Sequence, residues 1–249
     1  MLRAHCLIMD VPSHENALII TDAAVNIAPD LEGKVDIAQN AIDLAHALGV
    51  PSPRVAILSA IETVNPKVPS TVEAAALCKM ADRGQITGGV LDGRLALDNA
   101  IDLGAAQLKK IASPVAGRAN ILVVPNLEAG NMLTKSLSFL ADADAAGIVL
   151  GAKVPVILTS RADEKTTRLA SCAVASLVAA ARRGSLGAAV GESPGNAVEP
   201  EAVRTSALAC WLSTCVVTQQ PSEASRTEDP IRRLAITGST PSFTRSGRR

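Results

Sequence analysis

Short apolar runs of the kind that form buried strands recur along roughly the first two thirds of the chain. Between most of them, apolar residues recur every three or four positions, which is the period of an amphipathic helix. This alternation predicts an α/β domain with a mostly parallel sheet covered by helices on both faces. The runs are Cys6–Met9, Leu18–Ile20, Val55–Leu58, Gly89–Leu91, Ile121–Val124, Gly147–Leu150 and Val156–Leu158.

The clearest helical pattern covers residues Val35–Leu48 and is followed by Gly49 and Pro51, two residues that end helices. A second pattern covers Ala74–Ala81 and stops before Gly84. These stop signals indicate where the first two helices end. Further helices are predicted at Asp98–Ile111, Ala129–Leu140 and Glu164–Arg182.

The first two apolar runs are separated only by Val11–Asn16. A connection this short suits a hairpin, whereas a parallel crossover needs a dozen or more residues. The first two strands are therefore expected to pair antiparallel, at the edge of the sheet.

Composition narrows the class of protein. Basic and acidic residues balance at 24 each, and the chain has no Tyr, two Phe and one Trp. Nucleic-acid binding proteins usually present a basic face and aromatic platforms for bases, so no nucleic-acid partner is expected. With 48% hydrophobic residues among 249, the chain can bury a sizeable aliphatic core.

The five cysteines show no spacing typical of a metal site or a disulfide framework, which favours a reducing, cytoplasmic location. No signal peptide is recognised at the N-terminus. The longest apolar run near the C-terminus, Ala207–Val217, is too short to span a bilayer. A soluble protein without membrane contact is expected.

Composition changes after Arg183. Residues 184–249 contain no Lys, and 27 of these 66 residues are Gly, Ser, Thr or Pro. No helical or strand period is sustained there, so this segment is predicted to be a mostly disordered tail. A short helix around Trp211 that docks on the body is the alternative for one part of it.

Candidate chemistry lies in the loops after three of the strands. In doubly wound sheets, ligands bind outside the carboxyl ends of the strands. The segments after Leu91, Val124 and Leu158 are therefore expected to converge on one cleft. In the first of them, Asp92-Gly93 is interpreted as a turn and Asp98 as a helix N-cap.

The other two loops suit an anion. Gly130 is expected to let a ligand approach the backbone, with Asn131 and Lys135 on the same side, although Gly-Asn is also ordinary turn chemistry. Ser160 and Asp163 have the spacing of a capping box, but capping leaves the intervening Arg161 unexplained. The residues alone indicate an anion-binding α/β domain.

Five motifs, in order and with matching spacing, resemble the phosphate acetyltransferase and phosphate butyryltransferase family. The similarity covers about residues 3–183 and, in the stretch from Leu158, is greatest to the branch fused to an enoyl-CoA hydratase or MaoC-like domain. The resemblance implies acyl transfer between coenzyme A and inorganic phosphate without a further cofactor, a fold similar to isocitrate and isopropylmalate dehydrogenases, and a homodimer. The motifs are Thr21–Leu31, Gly93–Ile101, Ser113–Asn120, Pro125–Lys135 and Leu158–Arg161.

Members of this family have two α/β domains, the second inserted into the first. By resemblance, residues 1–147 correspond to the inserted domain and residues 148–183 to the last strands and helix of the first domain, with residues 184–249 as the tail. The first half of the family fold, with arginines expected to hold phosphate and the coenzyme, is then absent. A non-catalytic fragment or half of a split enzyme is therefore a rival hypothesis. A metal-dependent dehydrogenase of the same fold group is a weaker one, because no nucleotide loop or aspartate cluster is placed for it.

The resemblance also implies roles for individual residues. Ser160 is the candidate oxyanion donor and Arg161 the phosphate ligand, while Gly130, Asn131 and Lys135 line the cleft. Asp98 and Asn99 are further candidates for substrate binding. Where acetyltransferases of the family carry a catalytic aspartate, this chain has Thr166 and Thr167, and Asp163 is the nearest carboxylate.

Overall fold

The computed structural model describes residues 1–190, so all but the first seven residues of the predicted tail, and the Trp211 segment, lie outside the described residues. Seven strands and six helices form the fold, and the last helix continues past Arg183 into that tail. They are β1 (Ala4–Asp10), β2 (Leu18–Thr21), α1 (Leu31–Ala47), β3 (Arg54–Leu58), α2 (Pro69–Asp82), β4 (Val90–Leu95), α3 (Leu97–Ile101), α4 (Leu103–Leu108), β5 (Ile121–Val123), α5 (Leu127–Leu140), β6 (Asp144–Leu150), β7 (Val156–Ile157) and α6 (Lys165–Val190).

The strands form one sheet in the order β4-β3-β5-β2-β1-β6-β7. Strands β2 to β5 run in one direction, and β6 shares it because both β6 and β2 are antiparallel to β1. Strand β7 pairs antiparallel with β6 and so runs the other way. The sheet is therefore mixed and mostly parallel, as the alternation of strands and helices predicts.

The β1–β2 hairpin forms as predicted, with Cys6 opposite Thr21 and Met9 opposite Leu18. Its expected position at the sheet's edge is wrong. Strand β5 adds to the free side of β2 and β6 to the free side of β1, so the hairpin occupies the centre. Both of its strands are buried almost throughout, which is what a central position requires.

Helices cover both faces of the sheet. On one face α3, α4 and α5 pack over an aliphatic cluster that includes Met9, Ile20, Leu58, Leu95 and Leu122. The helices α1, α2 and α6 pack near one another on the opposite face, with α1 contacting both of the others. None of the described helices combines the length and apolarity needed to cross a bilayer.

Helices α1 and α2 confirm the predicted periods and stop signals. The side chain of Asp30 caps α1 by accepting a hydrogen bond from the backbone N–H of Gly33 at 2.8 Å. Just past the two helices, Gly49 and Gly84 adopt φ of +89° and +75°, the left-handed region that glycine enters without strain. The glycines predicted to stop α1 and α2 are thus the physical reason why each helix ends there.

Two details of the β4 region differ from prediction. Strand β4 continues to Leu95, so Asp92 and Gly93 lie inside a strand and form no turn. The helix expected from Asp98 is split into α3 and α4, and Asp98 lies within the first turn of α3. The break occurs because the Asp102 side chain accepts from the backbone N–H of Ala105 at 2.6 Å and caps a new helix.

Strand β7 was expected to be buried and is instead an exposed edge strand. Val156, Ile157 and Leu158 are 46%, 42% and 40% exposed. Only two of its residues pair with β6. An open apolar edge of this kind is a surface on which further chain can add.

Gly93→Ala should destabilise the fold by about 1–3 kcal/mol, the usual cost of overpacking a tight site. A Cβ at this position would lie 2.6 Å from the Ile57 carbonyl oxygen and 2.7 Å from the Ile57 Cβ, forcing β4 away from β3. Urea unfolding followed by circular dichroism measures the change. The matched control is Gly184→Ala in α6, where a Cβ meets nothing within 4 Å. Equal stability of the Gly93→Ala variant and wild type would contradict the close pairing of β3 and β4.

Candidate anion-binding site

The carboxyl ends of β2, β3, β4 and β5 lie at one edge of the sheet, because these strands are parallel. Strand β7 is different, because it runs antiparallel to β6. Ile157 is level with Thr21, the last residue of β2, through the pairs Ile157–Ile148, Ile148–Cys6 and Cys6–Thr21. Asp22, in the loop after β2, and Asp163, in the turn after Leu158, both act on the charge of His5. The convergence of the loop after Leu158 with the other loops stays a prediction.

Ser160 and Asp163 close a turn ahead of α6. The backbone N–H of Ser160 donates to Asp163 Oδ2 at 2.5 Å, and the N–H of Asp163 donates to the Ser160 carbonyl at 3.2 Å. The Ser160 hydroxyl oxygen accepts from the N–H of Ala162 at 3.3 Å. A capping box would place Ser160 at the N-cap of α6. Because α6 begins only at Lys165, these bonds instead stabilise a separate turn before the helix.

Arg161 lies exposed on this turn. Within residues 1–190 its guanidinium has no hydrogen bond or ion pair, while its carbonyl accepts a long bond of 3.5 Å from Arg168 Nη2. Among residues 1–190, no carboxylate pairs with the guanidinium of Arg161 or with that of Arg168, whose Nη2 contacts the turn. A fork-shaped donor with all its N–H groups free is suited to a phosphate.

Asp163 is engaged by the Ser160 backbone, so its carboxylate closes the turn. Thr166 is exposed and Thr167 is half-buried on the first turns of α6. Neither threonine can act as a base near neutral pH.

Helix α5 begins with a side-chain cap that sequence reasoning missed, since Asn126 accepts from the N–H of Ala129 at 2.9 Å. Gly130 is buried. A Cβ there would lie 2.8 Å from Val124 Cγ2, 3.0 Å from Ala23 Cα and 3.1 Å from the Asp22 carbonyl oxygen. Gly130 therefore serves the close packing of α5 on the loop after β2, and its role in binding a ligand stays a prediction.

The other two predicted residues of α5 remain accessible. Asn131 is exposed, and its carbonyl accepts from the Thr134 hydroxyl at 3.1 Å. Lys135 is half-buried with its Nζ 5.7 Å from the centroid of the Phe139 ring, a cation–π distance. Asn131 lies in the second turn of α5 and Lys135 in the third, so both lie beyond the first turn, where the helix dipole favours anions.

The loop after β2 is held by a buried carboxylate. Asp22 is 3% exposed and accepts from the backbone N–H groups of Ala24, Val25 and Asn26 at 3.0, 3.0 and 3.1 Å. A buried carboxylate needs such donors to remain in place. This residue belongs to the first motif of the family resemblance, and its structural role was not predicted.

Asp98 and Asn99 lie in an ion-pair cluster at the end of β4. Lys109 Nζ is 2.9 Å from Glu62 Oε1 and 2.9 Å from Asp98 Oδ2. Asn99 is fully buried, and its Nδ2 donates to Glu62 Oε1 at 2.5 Å. Sequence reasoning missed Glu62 and Lys109. Glu62 is 37 residues from Asn99, and Lys109 is 11 residues from Asp98, so no local sequence pattern indicates these contacts.

The cluster shifts the pKa of each of its charged groups. The hydrogen bonds from Lys109 and then Asn99 lower the pKa of Glu62, and the bond from Lys109 lowers that of Asp98. The bonds to Glu62 and then Asp98 raise the pKa of Lys109. Asp98 is therefore already paired with a cation, and Asn99 is held beneath it.

The fold and the Ser160 turn define an α/β protein with a candidate anion site. Residues 2–176 match the family model described as "Phosphate acetyl/butaryl transferase". The chain is 70% identical over 187 residues to a phosphate acetyltransferase of Rhizobium meliloti, covering 75% of this chain and 59% of that protein. It is 51% identical over 172 residues to a probable phosphate butyryltransferase of Bacillus subtilis, covering 69% and 58%.

Solved structures of phosphotransacylases are also similar to this chain, and two of them serve as examples. The first is a branched-chain phosphotransacylase from Enterococcus faecalis V583, with 35% identity and a TM-score of 0.66 over 72% of this chain and 66% of that one. The second is a phosphotransacetylase from Streptococcus pyogenes, with 26% identity and a TM-score of 0.61 over 73% and 55%. The chain belongs to the phosphate acetyl/butyryl transferase family. It spans about three fifths of the length of the Rhizobium meliloti and Bacillus subtilis relatives.

Lys109→Met should destabilise the protein most at neutral pH. The folded-state pKa of Glu62 lies below its ordinary value of 4.5, so the stabilisation from the cluster is complete above that value and is lost as pH falls through the lowered pKa. Urea unfolding at pH 7, 5, 4 and 3 should show the difference from wild type shrinking at the acid end.

Lys79→Met is the matched control, because Lys79 pairs with Asp82 only on the exposed surface of α2. It should change stability little at any pH. A destabilisation by Lys109→Met that does not depend on pH would show that the lysine acts through packing of its aliphatic stem.

Proposed function

We propose that this chain takes part in acyl transfer between coenzyme A and inorganic phosphate, with acetyl or butyryl as the acyl group. Membership of the family supports the reaction class. The observation that carries the proposal for this chain is the Ser160 turn, which has a hydroxyl at Ser160 and, at Arg161, an exposed guanidinium with no partner among residues 1–190. The size of the acyl group depends on the volume of the acyl pocket, which these residues do not define.

In the proposed reaction the thiolate of coenzyme A attacks the carbonyl carbon of an acyl phosphate. A carbon–sulfur bond forms, the carbon–oxygen bond to phosphate breaks, and inorganic phosphate leaves. The Ser160 hydroxyl donates to the oxyanion of the tetrahedral intermediate, and Arg161 binds the phosphate through two N–H groups. No atom changes oxidation state overall, so the transfer needs no redox cofactor.

The remaining candidates divide by their geometry. Asn131 and Lys135 are accessible, and we propose that they contact phosphate groups of the substrates. Asp98 is paired with Lys109, and Asn99 is fully buried. Asn99 is bonded to Glu62 in the same cluster, so the geometry of both residues favours support of the β4 edge. Asp163 acts by closing the turn that carries Ser160.

We propose the domain division expected from the resemblance, with residues 1–147 as the inserted domain and residues 148–183 as the returning part of the first domain. The open edge of β7, which leads directly into the Ser160 turn, supports a further surface on that side. Residues that the longer relatives carry would supply it. The Leu158–Ala173 sequence supports a place in the branch fused to hydratase or MaoC-like domains.

A homodimer is the proposed assembly. Met132, Phe139 and Leu140 of α5 are 64%, 70% and 84% exposed, and their spacing places them along one side of the helix. An exposed apolar stripe of this kind is typical of an interface. Cys6, Cys78 and Cys172, the cysteines in the described part of the chain, are unpaired, which supports the proposed cytoplasmic location.

Joining the family's N-terminal domain ahead of Met1 should allow acyl phosphate and coenzyme A to yield acyl-CoA. In that protein Ser160→Ala should lower kcat about 10²-fold, the usual cost of one lost oxyanion donor. Arg161→Ala should chiefly raise the KM for the phosphate substrate. The rate is followed as thioester absorbance.

Ser136→Ala and Arg83→Ala are the matched controls, since both side chains are exposed and lie outside the proposed site. The unextended chain should show little activity, because positioning of two substrates is most of what this reaction asks of the protein. An extended protein that folds but forms no acyl-CoA would contradict the proposed function and favour a non-catalytic chain. Full activity of the unextended chain would contradict the need for a further surface.

A further inference from the structure

His5 is a buried titratable residue that the proposed chemistry does not use. It lies in β1 and is 4% exposed. Its Nε2 is 3.1 Å from the carbonyl oxygen of Leu158, two residues before Ser160. Its Nδ1 is buried and has no hydrogen-bond partner among residues 1–190. The imidazole therefore connects the central strand of the sheet to the segment that enters the candidate site.

The contact determines the tautomer of the ring. A carbonyl oxygen can only accept, so Nε2 carries the hydrogen and donates it, and the lone pair is on Nδ1. Burial lowers the pKa of His5 below its ordinary 6.5, against opposing effects of the Leu158 bond and of the charges of Asp22 and Asp163. The ring is therefore neutral at pH 7, with a single donor committed to Leu158.

Little else holds the chain at Leu158. The pairing of β7 with β6 ends at Ile157. Beyond it, the Leu158 carbonyl approaches Gly147 so closely that any side chain at position 147 would collide with it. The backbone N–H of Gly147 is itself held by the Ser171 hydroxyl of α6 at 2.9 Å. The hydrogen bond from His5 is thus the polar anchor at the entry to the Ser160 turn.

We propose that neutral His5 is a positioning residue for the Ser160–Arg161 turn, acting through its hydrogen bond to Leu158. The contribution to catalysis rests on the proposed function of that turn, whereas the effect on the turn's geometry does not. Nothing in the sequence pattern identified this residue, because 153 positions separate it from its partner.

Protonation of His5 should weaken the turn. The charged groups whose fields reach the ring are Asp22, from the loop after β2, and Asp163, from the turn itself. The neighbouring Cys6 stays neutral, since burial raises the pKa of its thiol to about 12. A positive ring attracts the Asp163 carboxylate, and this attraction competes with the bond that Asp163 accepts from the N–H of Ser160.

The test uses nuclear magnetic resonance on the full chain. Imidazole nitrogen shifts should show His5 with hydrogen on Nε2 only at pH 7 and charging only below pH 6.5. Hydrogen exchange of the Ser160 amide, corrected for the intrinsic rate, should accelerate as His5 becomes charged. The exchange of the Ile148 amide, within β6, serves as the internal control for the fold.

Two variants separate positioning from simple burial. His5→Leu removes the donor and should accelerate Ser160 exchange about 3- to 10-fold at pH 7, the size expected of one lost hydrogen bond. His5→Gln retains an N–H donor without a titrating ring, so it should keep the protection at pH 7 and abolish the acid-dependent loosening. If His5→Leu does not fold, the proposal is tested by the tautomer of His5 in the wild type and by the exchange of the Ser160 amide in His5→Gln.

The proposal is overturned by hydrogen on Nδ1 at pH 7, by unchanged Ser160 exchange in His5→Leu, or by equal acid loosening in His5→Gln and wild type. The extended protein distinguishes this from the proposed function, because His5→Leu should lower turnover there and His5→Gln should restore it. Expected exchange results together with full activity of Ser160→Ala would leave the role of His5 standing and refute the function proposed for the turn.

Discussion

The antiparallel pairing of β1 with both of its neighbours is the constraint on which the rest of the structure depends. Strand β1 is buried between β2 and β6 and sends Ala4, Cys6 and Met9 into fully buried positions. Because it reverses the direction of the chain at the centre of the sheet, β6 runs parallel to β2 and β7 runs back. The Ser160 turn consequently follows a strand that runs opposite to β2 to β5, and His5 connects it to β1.

Two polar surfaces follow from this arrangement, and one carboxylate of each, Asp163 and Asp22, acts on the charge of His5. One is the Ser160–Asp163 turn with its free guanidinium, anchored to β1 through His5. The other is formed by the loop after β2 and the start of α5, which are tied together by Gly130 and the buried carboxylate of Asp22.

Elements with a strong local signal could be predicted from the sequence. Helix α1 buries a full face, and α2 buries Ala74 and Leu77 of the predicted pattern. Each helix is followed by a glycine in the left-handed region, so the apolar period and the stop signal indicate the same end. The position of the hairpin could not be predicted, because either free side of a two-stranded hairpin can accept another strand. That choice is made by packing of the whole sheet.

The same distinction holds for the site. The spacing of Ser160 and Asp163 indicated that the two residues are hydrogen-bonded to each other, and they are. The pair closes a separate turn before α6, however, and does not cap the helix. His5 and the partners Glu62 and Lys109 depend on contacts between distant parts of the chain. Gly130 was selected because glycine lets a ligand approach the backbone. In the fold, the missing side chain allows α5 to pack closely on the loop after β2.

The central claim is that the Ser160 turn is the anion site of the described structure. Titrating the full chain with inorganic phosphate, while following backbone amide shifts, tests it most directly. The account predicts saturable shifts at residues 159–163 and at Arg168, and their loss in Arg161→Ala. Saturable shifts confined to residues 126–135, or shifts at the turn that survive Arg161→Ala, would contradict it.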